Sequence, residues 1–186
     1  MNHKESFIKA DIYIADMDRQ YYCDHHLRLG RYPGETDEQL MLRLLTFVLF
    51  AHKELKFTPF QGTHQEAHLL QVNDLEEIEN WIVIGQPSEK QLRRACQKSP
   101  HVAIVTENDK AGLQWWEKEQ HRMAHFSNLD VVRIHGEHLQ NLAAMCSRNM
   151  KLQINILDGE ILVHDHNSVV MVRPEVLLRT HAVQAA

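Results

Sequence analysis

Apolar and polar residues alternate at the start of the chain, which is the pattern of a strand with one buried face. Within the segment from Phe7 to Ala15, the apolar residues at every second position are Ile8, Ala10, Ile12 and Ile14. Asp16, Met17 and Asp18 supply turn-forming residues, and a second extended segment runs from Tyr21 to Leu29. The pattern therefore predicts an antiparallel hairpin over residues 7–29.

The spacing of apolar residues becomes helical after Pro33 and Gly34. Thr36 is suited to cap a helix N-terminus, and the acids Asp37 and Glu38 follow it in the first turn, where the helix dipole favours negative charge. Beyond them, the residues on one helical face are Leu40, Leu44, Val48, Ala51 and Leu55. This spacing predicts a core helix over residues 37–55.

The middle of the chain alternates between strand-like and helix-like segments. The predicted strands are residues 78–85, 101–106 and 129–135, and the predicted helices are residues 88–98, 111–124 and 137–149. This order is typical of βαβ units, in which successive strands are parallel.

The C-terminal part of the chain changes character again. Asp158 and Gly159 are a two-residue hairpin signal between the extended segments 152–157 and 160–164. Residues 169–172 form a further predicted strand, and the last dozen residues are expected to carry little order. Together the elements predict an α/β (α+β) protein in which helices flank a mixed central sheet, with a hairpin near each terminus.

Composition and charge limit the classes of function. The apolar fraction is 44%, yet no apolar run reaches the roughly 18 residues that a membrane span requires, and the start of the chain lacks the apolar core of a signal peptide. We therefore expect a cytoplasmic protein without membrane association. The scattered Cys23, Cys96 and Cys146 indicate reduced thiols rather than a disulfide or zinc frame. A net charge of −5 argues against a generally basic surface, so a nucleic-acid role requires a local positive patch or a metal ion.

Histidines are numerous, with 14 in the chain, but their spacing gives weak support for a metal site. His64 and His68 are four residues apart, which on a helix would place both imidazoles on one face. Their segment does not match the zinc motif His-Glu-x-x-His, because its acid comes one position later. His25 and His26 are adjacent in a predicted strand, so their side chains point to opposite faces.

The order of the elements and several short motifs together resemble the YaeQ family over nearly the whole chain. The matching segments are residues 15–19, 33–36, 41–45, 55–57 and 81–87, the pair Trp115 and Trp116, and the hairpin at Asp158 and Gly159. That family is similar in fold to the restriction-endonuclease-like, or PD-(D/E)XK, nucleases, whose carboxylates hold Mg²⁺ against a scissile phosphate. The resemblance implies one YaeQ-like domain over residues 1–186.

The resemblance also implies four candidate site residues. Glu35 matches the family's Pro-x-Glu-Thr segment ahead of the long helix, and Gln86 matches the Gly-Gln-Pro end of the central strand. Glu66 and Asp74 match acidic positions before that strand and would be the metal ligands, holding Mg²⁺ only weakly. Each residue also has a structural interpretation, as a capping acid, a solvated loop acid or a strand-end amide.

One position departs from the family pattern. Family members usually carry Trp-Ile-Glu-x-Gly where this chain has a valine as the third residue, so Val83 replaces the expected strand carboxylate. Glu79 would lie on the same strand face, but four residues of a strand span about 13 Å, which makes it a poor substitute.

Three hypotheses about function remain open at this point. The first is a nuclease-type fold with weakened or lost hydrolysis that binds nucleic acid or a protein partner. The second is an active Mg²⁺-dependent nuclease that acts on DNA or RNA phosphodiesters. The third is an interaction module without any metal cluster. The missing carboxylate at Val83 favours the first.

Overall fold

The structure, a computed structural model, describes residues 7–60 and 66–180. The strands in these ranges are β1 (Phe7–Asp16), β2 (Tyr21–Gly30), β3 (Leu55–Phe57), β4 (Leu69–Val72), β5 (Ile78–Ile84), β6 (His101–Glu107), β7 (Leu129–Ile134), β8 (Asn149–Leu157), β9 (Glu160–His164), β10 (Val169–Val172) and β11 (Glu175–Leu178). The helices are α1 (Asp37–Leu49), α2 (Glu89–Lys98), α3 (Lys110–Met123) and α4 (Gly136–Ala143). None of these helices is long and apolar enough to cross a membrane.

The described residues divide into two compact units. Unit 1 contains residues 7–44 and 137–174, and unit 2 contains residues 45–60, 66–136 and 175–180. The α/β class is confirmed, with the strands shared between two mixed sheets rather than gathered in one central sheet. A single domain over residues 1–186 stays a prediction.

Unit 1 is built on a sheet, here called sheet 1, with the strand order β10-β9-β8-β1-β2. β1 pairs antiparallel with β2, which confirms the hairpin predicted for residues 7–29, and β1 also pairs parallel with β8. The second predicted hairpin is confirmed in β8 and β9. Asp158 and Gly159 connect these two strands with φ values of 52° and 75°, the positive angles that a tight hairpin turn requires.

One carboxylate ties the two hairpins of sheet 1 together. The Oδ1 and Oδ2 atoms of Asp18, in the first turn, accept hydrogen bonds from the backbone N–H groups of Asp158 and Gly159, each at 2.8 Å. Since both donors lie in the second turn, this contact fixes the ends of β1 and β8 against one another.

The first helix is shorter than its apolar pattern predicts. Thr36 and Gln39 form the capping box at its start, because each side chain accepts a hydrogen bond from the other's backbone N–H. The helix ends at Leu49 rather than at residue 55, and the chain turns before β3. Ala51 and Leu55 are nevertheless buried. The apolar pattern beyond Leu49 therefore indicated burial correctly and helical geometry incorrectly.

Unit 2 is built on a second sheet with the strand order β11-β7-β6-β5-β4-β3. Strands β5, β6 and β7 are parallel and alternate with α2 and α3, which confirms the predicted βαβ units. Ser88 and Gln91 form a capping box at the start of α2. The core of this unit includes Trp81, Val83 and Ile104.

Two boundaries near the C-terminus differ from the sequence prediction. Helix α4 ends at Ala143 instead of residue 149, and turn-type hydrogen bonds from the backbone N–H groups of Met145 and Cys146 to the carbonyls of Leu142 and Ala143 follow it before Asn149 begins β8. Residues 175–178, expected to be weakly ordered, form β11, which pairs antiparallel with β7. The second difference arises because residues 175–178 take their structure from a strand about 40 positions earlier in the chain.

Candidate functional site

Glu35, the first candidate, is buried in an ion pair with Arg43. The guanidinium donates from Nε to Oε1 at 2.5 Å and from Nη2 to Oε2 at 2.8 Å. The exposed fractions of the two side chains are only 5% for Arg43 and 4% for Glu35. The backbone N–H of Tyr32 donates to Oε2 as well, at 3.0 Å. Both carboxylate oxygens are thus occupied by N–H donors, which is the arrangement of a structural ion pair rather than of an open metal ligand.

Glu66, the second candidate, is also paired with an arginine. Its carboxylate accepts a hydrogen bond from Arg94 of α2, and both side chains are partly exposed. Its backbone carbonyl accepts a hydrogen bond from the indole Nε1 of Trp81 at 3.0 Å. These contacts hold the segment before β4 against the helix and strand that follow it.

Asp74 lies apart from Glu66 in the fold. Glu66 precedes β4 and Asp74 follows it, so the four residues of that strand, which span roughly 13 Å, separate the two acids. Asp74 is exposed in a turn that Asn73 organises by accepting hydrogen bonds from the backbone N–H groups of Leu75 and Glu77. Because Mg²⁺ binds oxygen at about 2.1 Å, one ion could not contact both carboxylates in this arrangement.

Gln86 lies beyond the carboxyl end of β5 and is exposed. Gly85, just before it, has a φ of 102°, a backbone conformation that residues other than glycine rarely adopt. The Nε2 atom of Gln86 reaches the hydroxyl of Thr106 at 3.4 Å, a long contact. This geometry fits the interpretation of Gln86 as a strand-end amide.

Val83 lies in the apolar core of unit 2. Its side chain is 5% exposed and belongs to an apolar cluster with Trp81, Leu92 and Ile104. Glu79, on the same strand, instead accepts a hydrogen bond from the amide of Gln71 at 2.7 Å. The strand therefore presents an apolar contact where the resemblance led us to expect a metal-binding carboxylate.

These residues do not fit the Mg²⁺ ion that the resemblance implies. Glu35 and Glu66 are neutralised by arginines, Asp74 stands apart, and Val83 offers no ligand atom. Within residues 7–60 and 66–180, no group of three or more His, Cys, Asp or Glu side chains is arranged to hold a metal. His64 lies outside the described residues, and His68 precedes β4 in a non-helical segment with its Nδ1 accepting from the Ile84 N–H.

Sequence reasoning gave no role to the outward face of sheet 1, which carries chemically useful groups. The side chains there alternate with the buried isoleucines of β1, and they include Asp11 and Tyr13. Together with His26, Lys151 and other residues they line an open depression of about 460 Å³. The alternation that predicted the buried face also identifies this outward face, so its residues could have been found from the sequence.

The two adjacent histidines of β2 lie on opposite faces, as predicted. His26 is exposed, and its Nδ1 lies 2.8 Å from the Asp11 carboxylate, whose hydrogen bond raises the pKa of the imidazole. His25 is turned inwards, where burial lowers its pKa, and its Nε2 lies 2.8 Å from the hydroxyl of Tyr21. The two neighbouring imidazoles therefore differ in how readily they bind a proton, because one is exposed beside Asp11 and the other is buried.

Comparison with known proteins assigns the chain to a family. The family model described as YaeQ protein matches residues 1–174. The YaeQ protein of Escherichia coli (strain K12) is 36% identical over 162 residues, which cover 87% of this chain and 90% of the relative, and the YaeQ protein of Salmonella typhi matches equally well. The crystal structure of the Xanthomonas axonopodis pv. citri YaeQ protein is 33% identical, with a TM-score of 0.89 over 94% of this chain and 98% of that one. The Pseudomonas syringae YaeQ structure shares the fold with a TM-score of 0.86 at 20% identity, over 96% of this chain and 98% of that one. This chain belongs to the YaeQ family.

Proposed function

We propose that this chain is a nucleic-acid-binding protein that does not hydrolyse phosphodiesters. The observation that supports the absence of hydrolysis is the burial of Val83 within an apolar cluster, at the strand position where the resemblance implies a carboxylate. The ion pairs of Glu35 with Arg43 and of Glu66 with Arg94 support it, because both acids are already neutralised.

The physical argument concerns how metal ions assist phosphodiester cleavage. Carboxylates fix the ion against the phosphate, where it orients a water and stabilises the charge that develops in the transition state. A chain that presents an apolar side chain at this position and engages Glu35 and Glu66 with guanidinium groups loses this positioning. Binding of a nucleic acid requires none of these ligands, so the loss of hydrolysis does not by itself abolish it.

The proposal is tested by cleavage and binding assays on one set of labelled substrates, namely single- and double-stranded DNA and RNA. With millimolar Mg²⁺ or Mn²⁺ we expect intact substrates on denaturing gels and, by fluorescence anisotropy, binding of at least one substrate. Robust cleavage that Glu66→Ala abolishes, while Glu117→Ala on the exposed surface of α3 does not, would establish an active nuclease instead. Absence of binding to all four substrates would favour the protein-partner alternative.

A further inference from the structure

Strand β2 is a long strand at the edge of sheet 1. All its residues pair with β1 without a bulge, and within residues 7–60 and 66–180 no strand pairs with β2 on its other side. Proteins often protect such an edge by shortening the strand, bending it with a bulge or placing a proline in it, because its open N–H and C=O groups can pair with another strand. β2 has none of these three features, so its edge is open to a further strand.

The open edge carries the backbone groups of alternate residues of β2. The backbone N–H of Lys9 in β1 donates to the carbonyl of Arg148, next to β8, at 2.9 Å. Odd-numbered residues of β1 therefore direct their backbone groups towards β8, and even-numbered ones direct them towards β2, where they are opposite odd-numbered residues. The even-numbered residues of β2 must then point to the open edge. Within the strand they are Tyr22, Asp24, His26 and Arg28.

The side chains of these four residues lie on the outward face of sheet 1. Tyr22 is 57% exposed and His26 is 80% exposed, and Asp24 and Arg28 are exposed as well. The Arg28 guanidinium lies 4.1 Å from the centre of the Phe7 ring. Neither the Asp24 carboxylate nor this guanidinium forms an ion pair within the described part of the chain. Two opposite charges, four residues apart, are therefore available at the edge.

A second, antiparallel copy of the same strand complements these charges. With a two-fold axis at His26, Asp24 of each copy is opposite Arg28 of the other, so the symmetry forms the pair twice. Opposite charges that face one another across two strands are stabilising, whereas like charges are destabilising. Each of these pairs also joins residues whose backbone groups both point to the open edge, as a regular antiparallel ladder requires.

Other registers of the same pair are less favourable. A shift by one residue places outward-pointing backbone groups opposite groups that already face β1. A shift by two places Arg28 opposite either Tyr22 or His26 of the second copy, so its charge no longer meets an acid. In the register centred on His26 the two imidazoles face one another, and each keeps its own Asp11 carboxylate at 2.8 Å, which balances its charge.

The inward face of β2 also fits this register. Cys23 and Leu27 are only partly buried on that face. In the pair centred on His26, Cys23 is opposite Leu29 of the second copy and Leu27 is opposite His25, whose pKa is lowered by burial. The pairing therefore covers apolar surface that the edge leaves open in one chain, without bringing a second charge to that face.

From this complementarity we infer that the open edge of β2 binds β2 of a second copy of this chain, in an antiparallel pair centred on His26, so that sheet 1 continues across both chains. The occupant is a second copy because the strand complements its own sequence, and each contact that one chain supplies is returned by the other. The inference goes beyond the proposed function and does not depend on nucleic-acid binding.

The first test is the molecular mass in solution. Sedimentation equilibrium of the unaltered protein at micromolar concentrations should give the mass of two chains. Asp24→Arg and Arg28→Asp should each raise the dimer dissociation constant by about 10-fold or more, since either change opposes like charges twice in the symmetric pair. Lys151→Asp, an equal charge reversal at an exposed residue of β8 away from the edge, is the matched control and should leave the constant unchanged.

Mixing the two charge-reversed proteins is the decisive measurement. In a mixed pair, the arginine introduced at position 24 of one chain faces the aspartate introduced at position 28 of the other. The unaltered Arg28 and Asp24 face one another as well. The equimolar mixture should therefore regain the two-chain mass that neither variant shows alone. Because a misfolded variant could not restore the pairing, this result separates a loss of complementarity from a loss of folding.

Cysteine cross-linking measures the register. In the pair centred on His26, the Cα atoms of its two copies lie about 5.5 Å apart, within the range that a disulfide can bridge. His26→Cys should therefore give a covalent dimer on non-reducing gels after mild oxidation. Tyr22→Cys should not, because its two copies are separated by about 26 Å along the ladder. The unaltered protein, which already has Cys23 in this strand, controls for background oxidation.

Several outcomes would overturn the inference. A single-chain mass for the unaltered protein at every concentration would do so. So would a two-chain mass that both charge reversals retain, or that Lys151→Asp abolishes equally, because the contact would then lie elsewhere. Failure of the mixture to regain the two-chain mass overturns the self-complementary pair. Absence of nucleic-acid binding in a protein that passes these tests contradicts only the proposed function.

Discussion

Arg43 donates hydrogen bonds to both carboxylate oxygens of Glu35, and its guanidinium also lies 3.9 Å from the centre of the Tyr32 ring. Arg43 Nη2 donates a further hydrogen bond to the Gly30 carbonyl at 2.8 Å, so both N–H groups of Nη2 have an acceptor. The pair therefore joins the end of β2, the loop after it and the first turns of α1. Because charges this deeply buried are tolerated only when they are paired, the conformation of the loop depends on both partners.

The buried pair predicts an asymmetric pattern of stabilities. Arg43→Met should lower the free energy of unfolding by about 3–5 kcal/mol, because it leaves the Glu35 carboxylate buried without its counter-ion. The double variant Arg43→Met with Glu35→Leu should be more stable than Arg43→Met alone, since no charge remains in the site. Urea denaturation followed by circular dichroism measures both. An Arg43→Met protein as stable as the unaltered one would show that Glu35 has access to water and is available for a ligand.

The core position of Val83 predicts the cost of introducing the carboxylate that the resemblance implies at this position. Val83→Glu should lower the free energy of unfolding by about 3 kcal/mol or more, because it places a carboxylate among apolar side chains. Val83→Ile, which keeps the site apolar, should cost less than about 1.5 kcal/mol. Thermal unfolding of the two variants provides the comparison. A fully stable Val83→Glu protein would indicate that the strand can present a carboxylate to solvent or to a metal ion.

Mg²⁺ is expected to bind with millimolar affinity at best. The carboxylates that could take part are paired with arginines or separated by β4, and the ion usually gains affinity from substrate phosphates. Isothermal titration calorimetry on the protein alone is the measurement, with Glu66→Ala as the variant and Glu117→Ala as the control. Stoichiometric micromolar binding that only Glu66→Ala removes would contradict this prediction and revive a metal site.

The two adjacent histidines of β2 should titrate in opposite directions. By NMR, the pKa of His26 should lie above its ordinary value of about 6.5, owing to its hydrogen bond with Asp11, and that of His25 should lie below it, owing to burial. Asp11→Asn should lower the pKa of His26 and leave that of His25 almost unchanged. A His26 pKa at or below the ordinary value in the unaltered protein would show that the contact with Asp11 does not persist in solution.

These shifts have opposite effects on the pH dependence of stability. His26 binds its proton more tightly in the folded state, so its contribution is fully present below the unfolded pKa and is lost as pH rises through the raised folded value. His25 binds its proton less tightly when folded, so its contribution is present at neutral pH and declines as pH falls below the unfolded value. Asp11→Asn removes the first effect. Its stability should therefore fall more between neutral pH and about pH 5 than that of the unaltered protein, as urea denaturation at each pH would measure.

The sequence alone determined those elements whose geometry depends on near neighbours. Alternation and turn residues predicted the hairpin of β1 and β2, and Asp158 with Gly159 predicted the connection of β8 to β9, because each turn joins strands that follow one another directly. The βαβ order of unit 2 was also predicted correctly, because the apolar residues of strands and of helices recur with different periods. That residue 83 is a valine, and not the glutamate that the resemblance implies, was likewise visible in the sequence, although the burial of its side chain was not.

Only the tertiary structure decided the pairings between distant segments. The parallel contact of β1 with β8 joins residues about 140 positions apart, and the sequence of neither strand indicates which strand it pairs with. Glu66 meets Arg94 across 28 positions, which changes it from a candidate ligand to a neutralised acid. Helix α1 ends at Leu49 although its apolar pattern continues. The apolar residues beyond it are buried without helical geometry, because the hydrophobic effect favours burial in any backbone conformation. A local pattern gives the conformation of a segment and the face it buries, whereas its partners depend on how the whole chain packs.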